Sequence, residues 1–161
     1  MSCIEKPANV LLDEDFEPML TDFGFSRFID TTEAMTGETG SYRYMSPEMI
    51  RNETYNEKVD VYSFGIVINE IFARIPPFEH LLPIHAAVGV AKKGLRPSQR
   101  GIKNERLKMP VTQCWTQEAE KRPDWTYIIG ELEAVQNASL KKAQNRGGIG
   151  KLTRKTVEAA L

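Results

Sequence analysis

From Asp60 to Phe72 the sequence is apolar on nearly every side of a helical projection, and a helix without a wet face has to be surrounded by protein. The stretch from Val59 to Ala73 is too short to span a bilayer and is broken by Asp60, Asn69 and Glu70. It therefore reads as the axis of a soluble core rather than a membrane segment. Further helices are expected at about Leu82 to Lys93, Glu105 to Trp115 and Trp125 to Val135. The last carries Trp125, Ile128, Ile129, Leu132 and Val135 at helical spacing. Ser46-Pro47-Glu48 has the form of a helix start, with Ser as N-cap and Pro at the first helical position, and the 52–56 segment reads as the loop that ends this short helix. Ahead of these, residues 10–12 and 18–21 read as two short strands around a polar turn. Asp22 to Ser41 has no apolar period and reads as a long loop. The expected fold class is mainly α with one small β-hairpin.

A chain of 161 residues has room for one domain. Its 21 Lys and Arg against 22 Asp and Glu give no general drive toward nucleic acid or anionic membrane. The balance hides an asymmetry: residues 137–161 carry Lys141, Lys142, Arg146, Lys151, Arg154 and Lys155 against the single acid Glu158. This reads as a solvated basic tail. No aromatic residue interleaves with its charges, so it offers no stacking platform for a single strand. Cys3 and Cys114 form no CxxC pair, which fits a reducing compartment. The first twelve residues lack the basic start and long apolar run of a signal peptide, and a cytoplasmic location is expected.

The chemistry lies at the front. If the two strands pair antiparallel, Asn9 and Asp22 flank the open end of one hairpin, on strands only about 4.8 Å apart. An amide oxygen and a carboxylate are hard donors that suit Mg²⁺ held together with nucleotide phosphates. Lys6 would place a cation where charge develops on a transferring phosphoryl group, and Gly24 gives the following loop a permissive backbone point. Asp13 and Asp15 open something like a calcium loop, but Pro18 replaces its turn glycine and no Glu stands at its last position, so calcium is rejected. His80 and His85 have no Cys or acid pattern around them. Gly147-Gly148-Ile149-Gly150-Lys151 lacks the first Gly and the Ser/Thr of a P-loop.

In order and spacing these residues resemble the eukaryotic protein-kinase family. Lys6-Pro7-Ala8-Asn9 looks like the end of the catalytic loop, Asp22-Phe23-Gly24 like the magnesium-binding motif, and Ser46-Pro47-Glu48 like the motif that closes the activation segment. Gly40 to Glu48, Asp60 to Gly65, Cys114-Trp115 and Arg122-Pro123 follow in the family's order. The resemblance covers about residues 6–136. It implies the helical C-terminal lobe of the kinase fold, and ATP- and Mg²⁺-dependent phosphoryl transfer to Ser or Thr of a protein substrate. It implies Mg²⁺ ligation by Asn9 and Asp22, a γ-phosphate contact by Lys6, and acceptor-hydroxyl contacts by Gly40 and Ser41. Phe23 and Gly24 would be structural, Glu48 and Arg122 would form a buried ion pair, and Asp60 would anchor the catalytic loop. Thr31, Thr32, Thr36 and Thr39 would be phosphosites. Lys6 favours Ser/Thr specificity, and Tyr42-Arg43-Tyr44-Met45 is similar to the tyrosine-kinase-like group.

The departures carry as much weight. The family's catalytic Asp falls on Ile4, which cannot accept a proton or orient a hydroxyl, and the preceding His-Arg pair falls on Ser2-Cys3. No glycine-rich loop, strand Lys, helix Glu or adenine-holding hinge stands upstream, so the N-terminal lobe is expected to be absent. Residues 1–136 are then a partial kinase domain and 137–161 a basic tail. Such a chain is expected to be inactive alone, or to act as a non-catalytic, pseudokinase-like protein-binding module. Val61, Phe64, Ile68 and Phe72 are expected to lose part of their cover, leaving an apolar face for a protein partner.

Overall fold

The computed structural model describes residues 6–21 and 41–145. It begins with a hairpin of β1 (Val10–Leu12) and β2 (Pro18–Leu20), paired antiparallel with Val10 opposite Leu20 and Leu12 opposite Pro18. Five α-helices follow: α1 (Pro47–Ile50), α2 (Lys58–Ala73), α3 (Pro83–Lys93), α4 (Glu105–Cys114) and α5 (Trp125–Asn145). The fold is mainly α with one two-stranded sheet, as the periodicities predict. Among the described residues no helix is long and apolar enough to cross a membrane.

The core forms where α2 meets α4. Tyr62 and Ile66 of α2 pack with Phe78, Val90, Ile102, Leu107, Val111, Trp115 and Val135 in one buried cluster. Contact between α2 and α4 is close because of Gly65, where an added Cβ would lie 2.7 Å from the Cβ of Cys114. Burial against this wall pushes the Cys114 thiol up to about 12.

Three expectations change. The cover of α2 is more complete than anticipated at Val61 alone, which is buried with Cys114 and Ile128; Phe64 lies edge-on to Trp125 with ring centroids 5.3 Å apart. Phe64, Ile68 and Phe72 are half-buried, and the exposed apolar side chain of α2 is Ile71. Ser46 stands at the N-cap of α1 with extended backbone, but its hydroxyl makes no capping bond; Pro47 at the first helical position leaves fewer orphan N–H groups to cap. Helix α5 runs to Asn145 rather than stopping near Val135. The apolar period ends at Val135, but the Ala, Gln, Leu and Lys that follow are good helix formers and continue it.

Candidate functional site

Two structures converge on the chemistry indicated by the sequence: the open end of the hairpin and the anchor of the segment that begins at Ser41. Lys6 has extended backbone (φ −137°, ψ 152°), and Pro7 then starts a 3₁₀ turn over Pro7–Asn9, closed by the Asn9 N–H donating to the Lys6 carbonyl at 2.8 Å. The turn delivers Asn9 to the position just before β1. At the far end of the hairpin the Asp13 carboxylate accepts from the Asp15 and Glu17 N–H groups, each at 2.9 Å, an Asx-type turn that fixes the register. With Val10 opposite Leu20, the next pair outward is Asn9 and Thr21. The Thr21 N–H donates to the Asn9 carbonyl at 2.8 Å and its hydroxyl to the same oxygen at 3.2 Å.

Asn9 is only 5% exposed. Asp22 follows Thr21 directly and lies outside the described residues, as do Phe23, Gly24, Thr31, Thr32, Thr36, Thr39 and Gly40. Ser41 opens a 3₁₀ turn over Ser41–Arg43. Asp60 is half-buried in the first turn of α2. Among the described residues no group of three or more His, Cys, Asp or Glu could hold a metal. Of the two hard oxygen donors expected from the sequence, the structure describes only Asn9, and an amide oxygen with a carboxylate is a donor chemistry compatible with Mg²⁺ rather than with a thiophilic metal.

The segment from Ser41 to Ile50 is fastened at three points. The Arg43 guanidinium donates to the carbonyls of Pro77, Phe78 and Leu81 at 2.7, 2.5 and 2.8 Å. The Tyr44 hydroxyl donates to Glu70 Oε2 at 2.8 Å, and Ser63 Oγ donates to the Tyr44 carbonyl at 2.9 Å. Burial, with the Glu70 carboxylate beside it, pushes the Tyr44 phenol well above its ordinary value. The third point is Glu48, whose two oxygens accept from Nη1 and Nη2 of Arg122 at 2.6 and 2.8 Å, both side chains being buried. Burial alone would raise the Glu48 carboxyl; the hydrogen bonds and charge of Arg122 outweigh it and hold the group below the usual carboxylate range.

Arg122 uses its remaining N–H groups as well, on the carbonyls of Lys58 at 2.9 Å and Thr116 at 3.0 Å, with a longer contact to Gln117 at 3.4 Å. Its guanidinium stacks 5.2 Å from the Tyr62 ring centroid, and Arg96 stacks over the same ring at 5.1 Å. Lys58 returns the contact, donating to the Arg122 and Pro123 carbonyls at 3.1 and 2.9 Å. Arg43, Lys58 and Arg96 have no role in the sequence-level reading. Each works on backbone carbonyls brought by distant loops, and no local spacing marks that. A family description for protein tyrosine and serine/threonine kinases matches residues 6–132.

The chain belongs to the protein kinase family. Among its relatives, serine/threonine-protein kinase STY46 of Arabidopsis thaliana is 40% identical over 130 residues, 81% of this chain and 23% of that protein. Serine/threonine-protein kinase STY17 of the same plant gives the same identity and coverage. Serine/threonine/tyrosine-protein kinase HT1, also from that plant, is 38% identical over 128 residues, 80% of this chain and 33% of the relative. The chain thus spans about a quarter to a third of the length of these curated relatives. In this kinase-family chain the Glu48–Arg122 pair ties the 41–50 segment to α2 and to the Thr116–Arg122 turn.

Proposed function

We propose that the chain is the helical C-terminal lobe of a Ser/Thr protein kinase and supplies the metal- and acceptor-side half of ATP- and Mg²⁺-dependent phosphoryl transfer in the cytoplasm. The observation that carries this reading is the family match over residues 6–132, joined to a hairpin whose backbone bonds fix the position of Asn9 at its open end. In this reading Asn9 and Asp22 hold Mg²⁺, which, when bound, neutralises charge on the nucleotide phosphates. Lys6 contacts the transferring phosphoryl group, and Gly40 and Ser41 position the acceptor hydroxyl of a protein substrate. Phe23 and Gly24 set the backbone after the metal ligand, and Asp60 steadies the catalytic loop. Phosphorylation at Thr31, Thr32, Thr36 or Thr39 would regulate the loop by adding Arg-pairable charge. The kinase-derived part ends near residue 136, followed by a basic extension.

Ile4 stands where the family places its catalytic Asp, so the 161-residue chain alone is proposed to transfer phosphate no faster than background. A second reading, a protein-binding module without catalysis, is favoured by that residue and by the apolar surface of the hairpin, where Leu11, Leu12, Phe16, Met19 and Leu20 are all exposed. A chimera separates the two. The first half of a related Ser/Thr kinase domain is joined ahead of Lys6, with Asp at position 4, and assayed with labelled ATP on a serine-containing protein. Transfer that is lost on Asp22→Ala is expected. A chimera that melts cooperatively, binds ATP and transfers nothing would leave the binding-module reading.

A further inference from the structure

An open cleft of about 1040 Å³ lies where the end of α2, the segment leading into α4 and the last turns of α5 come together. Arg74, Lys103, Arg106 and Lys142 line it, with Asn104 and Ser139 between them. Among the described residues none of these four cations has a carboxylate partner. Glu105, the acid on the cleft wall, is turned to Lys108 at 2.6 Å. All four side chains are exposed, and a concavity lined by four cations without acid partners raises the local concentration of anions, even in a chain with more acids than bases.

The backbone goes out of its way to build this arrangement. An added Cβ at Gly101 would lie 2.4 Å from Ala73 Cα, so glycine is what lets the segment bearing Lys103 and Asn104 lie against the end of α2 beside Arg74. Arg74 itself caps α2 in the left-handed region (φ 56°, ψ 31°), a position that ordinarily selects glycine. The third wall is the part of α5 beyond Val135, which buries little but carries Ser139 and Lys142 to the cleft. The positive N-terminal turn of α4 opens there too, offset by the C-terminal end of α2 and the last turns of α5, so the positive character of the cleft comes from its side chains.

We propose that this cleft binds a ligand carrying several phosphate groups. Two guanidinium forks match phosphate oxygens in pairs, and a cleft of about 1040 Å³ lined by four cations has room for a ligand with more than one phosphate. The ligand chemistry could come from a soluble inositol polyphosphate or from the headgroup of a multiply phosphorylated lipid.

The test is calorimetry of the full 161-residue chain with inositol hexakisphosphate, and co-sedimentation with phosphatidylcholine vesicles with and without a phosphatidylinositol bisphosphate. One-to-one binding is expected, weakened about tenfold by Arg106→Gln and again by Arg74→Gly. The paired control Lys92→Gln with Lys93→Gln, on exposed side chains outside the cleft, should stay within about twofold of wild type. Arg74→Gly should also raise Tm, because it relieves the left-handed Arg, which separates lost binding from lost folding. Binding in solution alone assigns the soluble ligand, and binding to vesicles alone assigns the lipid. Absence of binding in both arms, equal loss in the control, or inorganic sulfate competing as well at the same ionic strength would overturn the proposal.

Discussion

Arg122 makes five hydrogen bonds within 3.4 Å and a ring contact from a site that is 2% exposed. Removing such a group leaves the Glu48 carboxylate buried without its counter-charge, and that stranded charge, more than the lost attraction, sets the cost. Arg122→Ala should destabilise the fold by about 3 to 5 kcal/mol in urea titrations. Arg122→Lys should recover only part of this, because one ammonium cannot span both Glu48 oxygens and the Lys58 and Thr116 carbonyls. The same pair makes a pH prediction. The Glu48 carboxyl is held below its ordinary 4.5 when folded, so its contribution is present above that pH and is lost as pH falls through the folded value. Tm measured against pH should therefore drop more steeply below 4.5 in wild type than in Glu48→Gln.

At the scale of elements, the seam between α2 and α4 is set by the absence of one carbon. Gly65→Ala would gain about 1 kcal/mol of helix propensity but would force Cys114, 2.7 Å from the new Cβ, to move with its helix, and overpacking costs about 1 to 3 kcal/mol. Net destabilisation is expected, with faster labelling of the buried Cys114 thiol by a thiol reagent. The fold class and the cores of the four longer helices are legible because apolar periodicity reports burial directly. The end of α5 is not, since residues 136–145 are helical by propensity rather than by a buried face. The residues of the hairpin end and the partners Glu48 and Arg122 are named by motif. The carbonyl-gripping roles of Arg43, Lys58 and Arg96 depend on where segments 19 to 65 residues away come to rest, and no spacing encodes that. The four cations of the cleft are equally scattered in sequence.

At the scale of the molecule, the hairpin gathers exposed apolar side chains among the described residues: Phe16 is 79% and Leu12 59% exposed. The register puts Leu12 and Leu20 on one face and Leu11 and Met19 on the other, and exposed apolar side chains gathered this way capture apolar ligands. The native chain should enhance the fluorescence of a hydrophobic dye. Leu12→Ser with Leu20→Ser should reduce that signal while leaving Tm nearly unchanged, since neither side chain is buried. A cooperative melt with no dye signal would count against an exposed apolar surface.

A four-residue helix such as α1 has no standing of its own in water, and its backbone amides would ordinarily trade hydrogens with solvent through small local openings. Here Glu48, in its first turn, is clamped to a guanidinium that also holds the start of α2 and the Thr116 turn. Freeing α1 means stranding that charge and loosening all three at once. In deuterium exchange, the amides of Ile50 and Arg51, bonded to the Ser46 and Pro47 carbonyls, should therefore be as slow as those in the middle of α2. They should become fast together in Arg122→Ala, so that the smallest helix of the molecule opens only when the largest cooperative unit does.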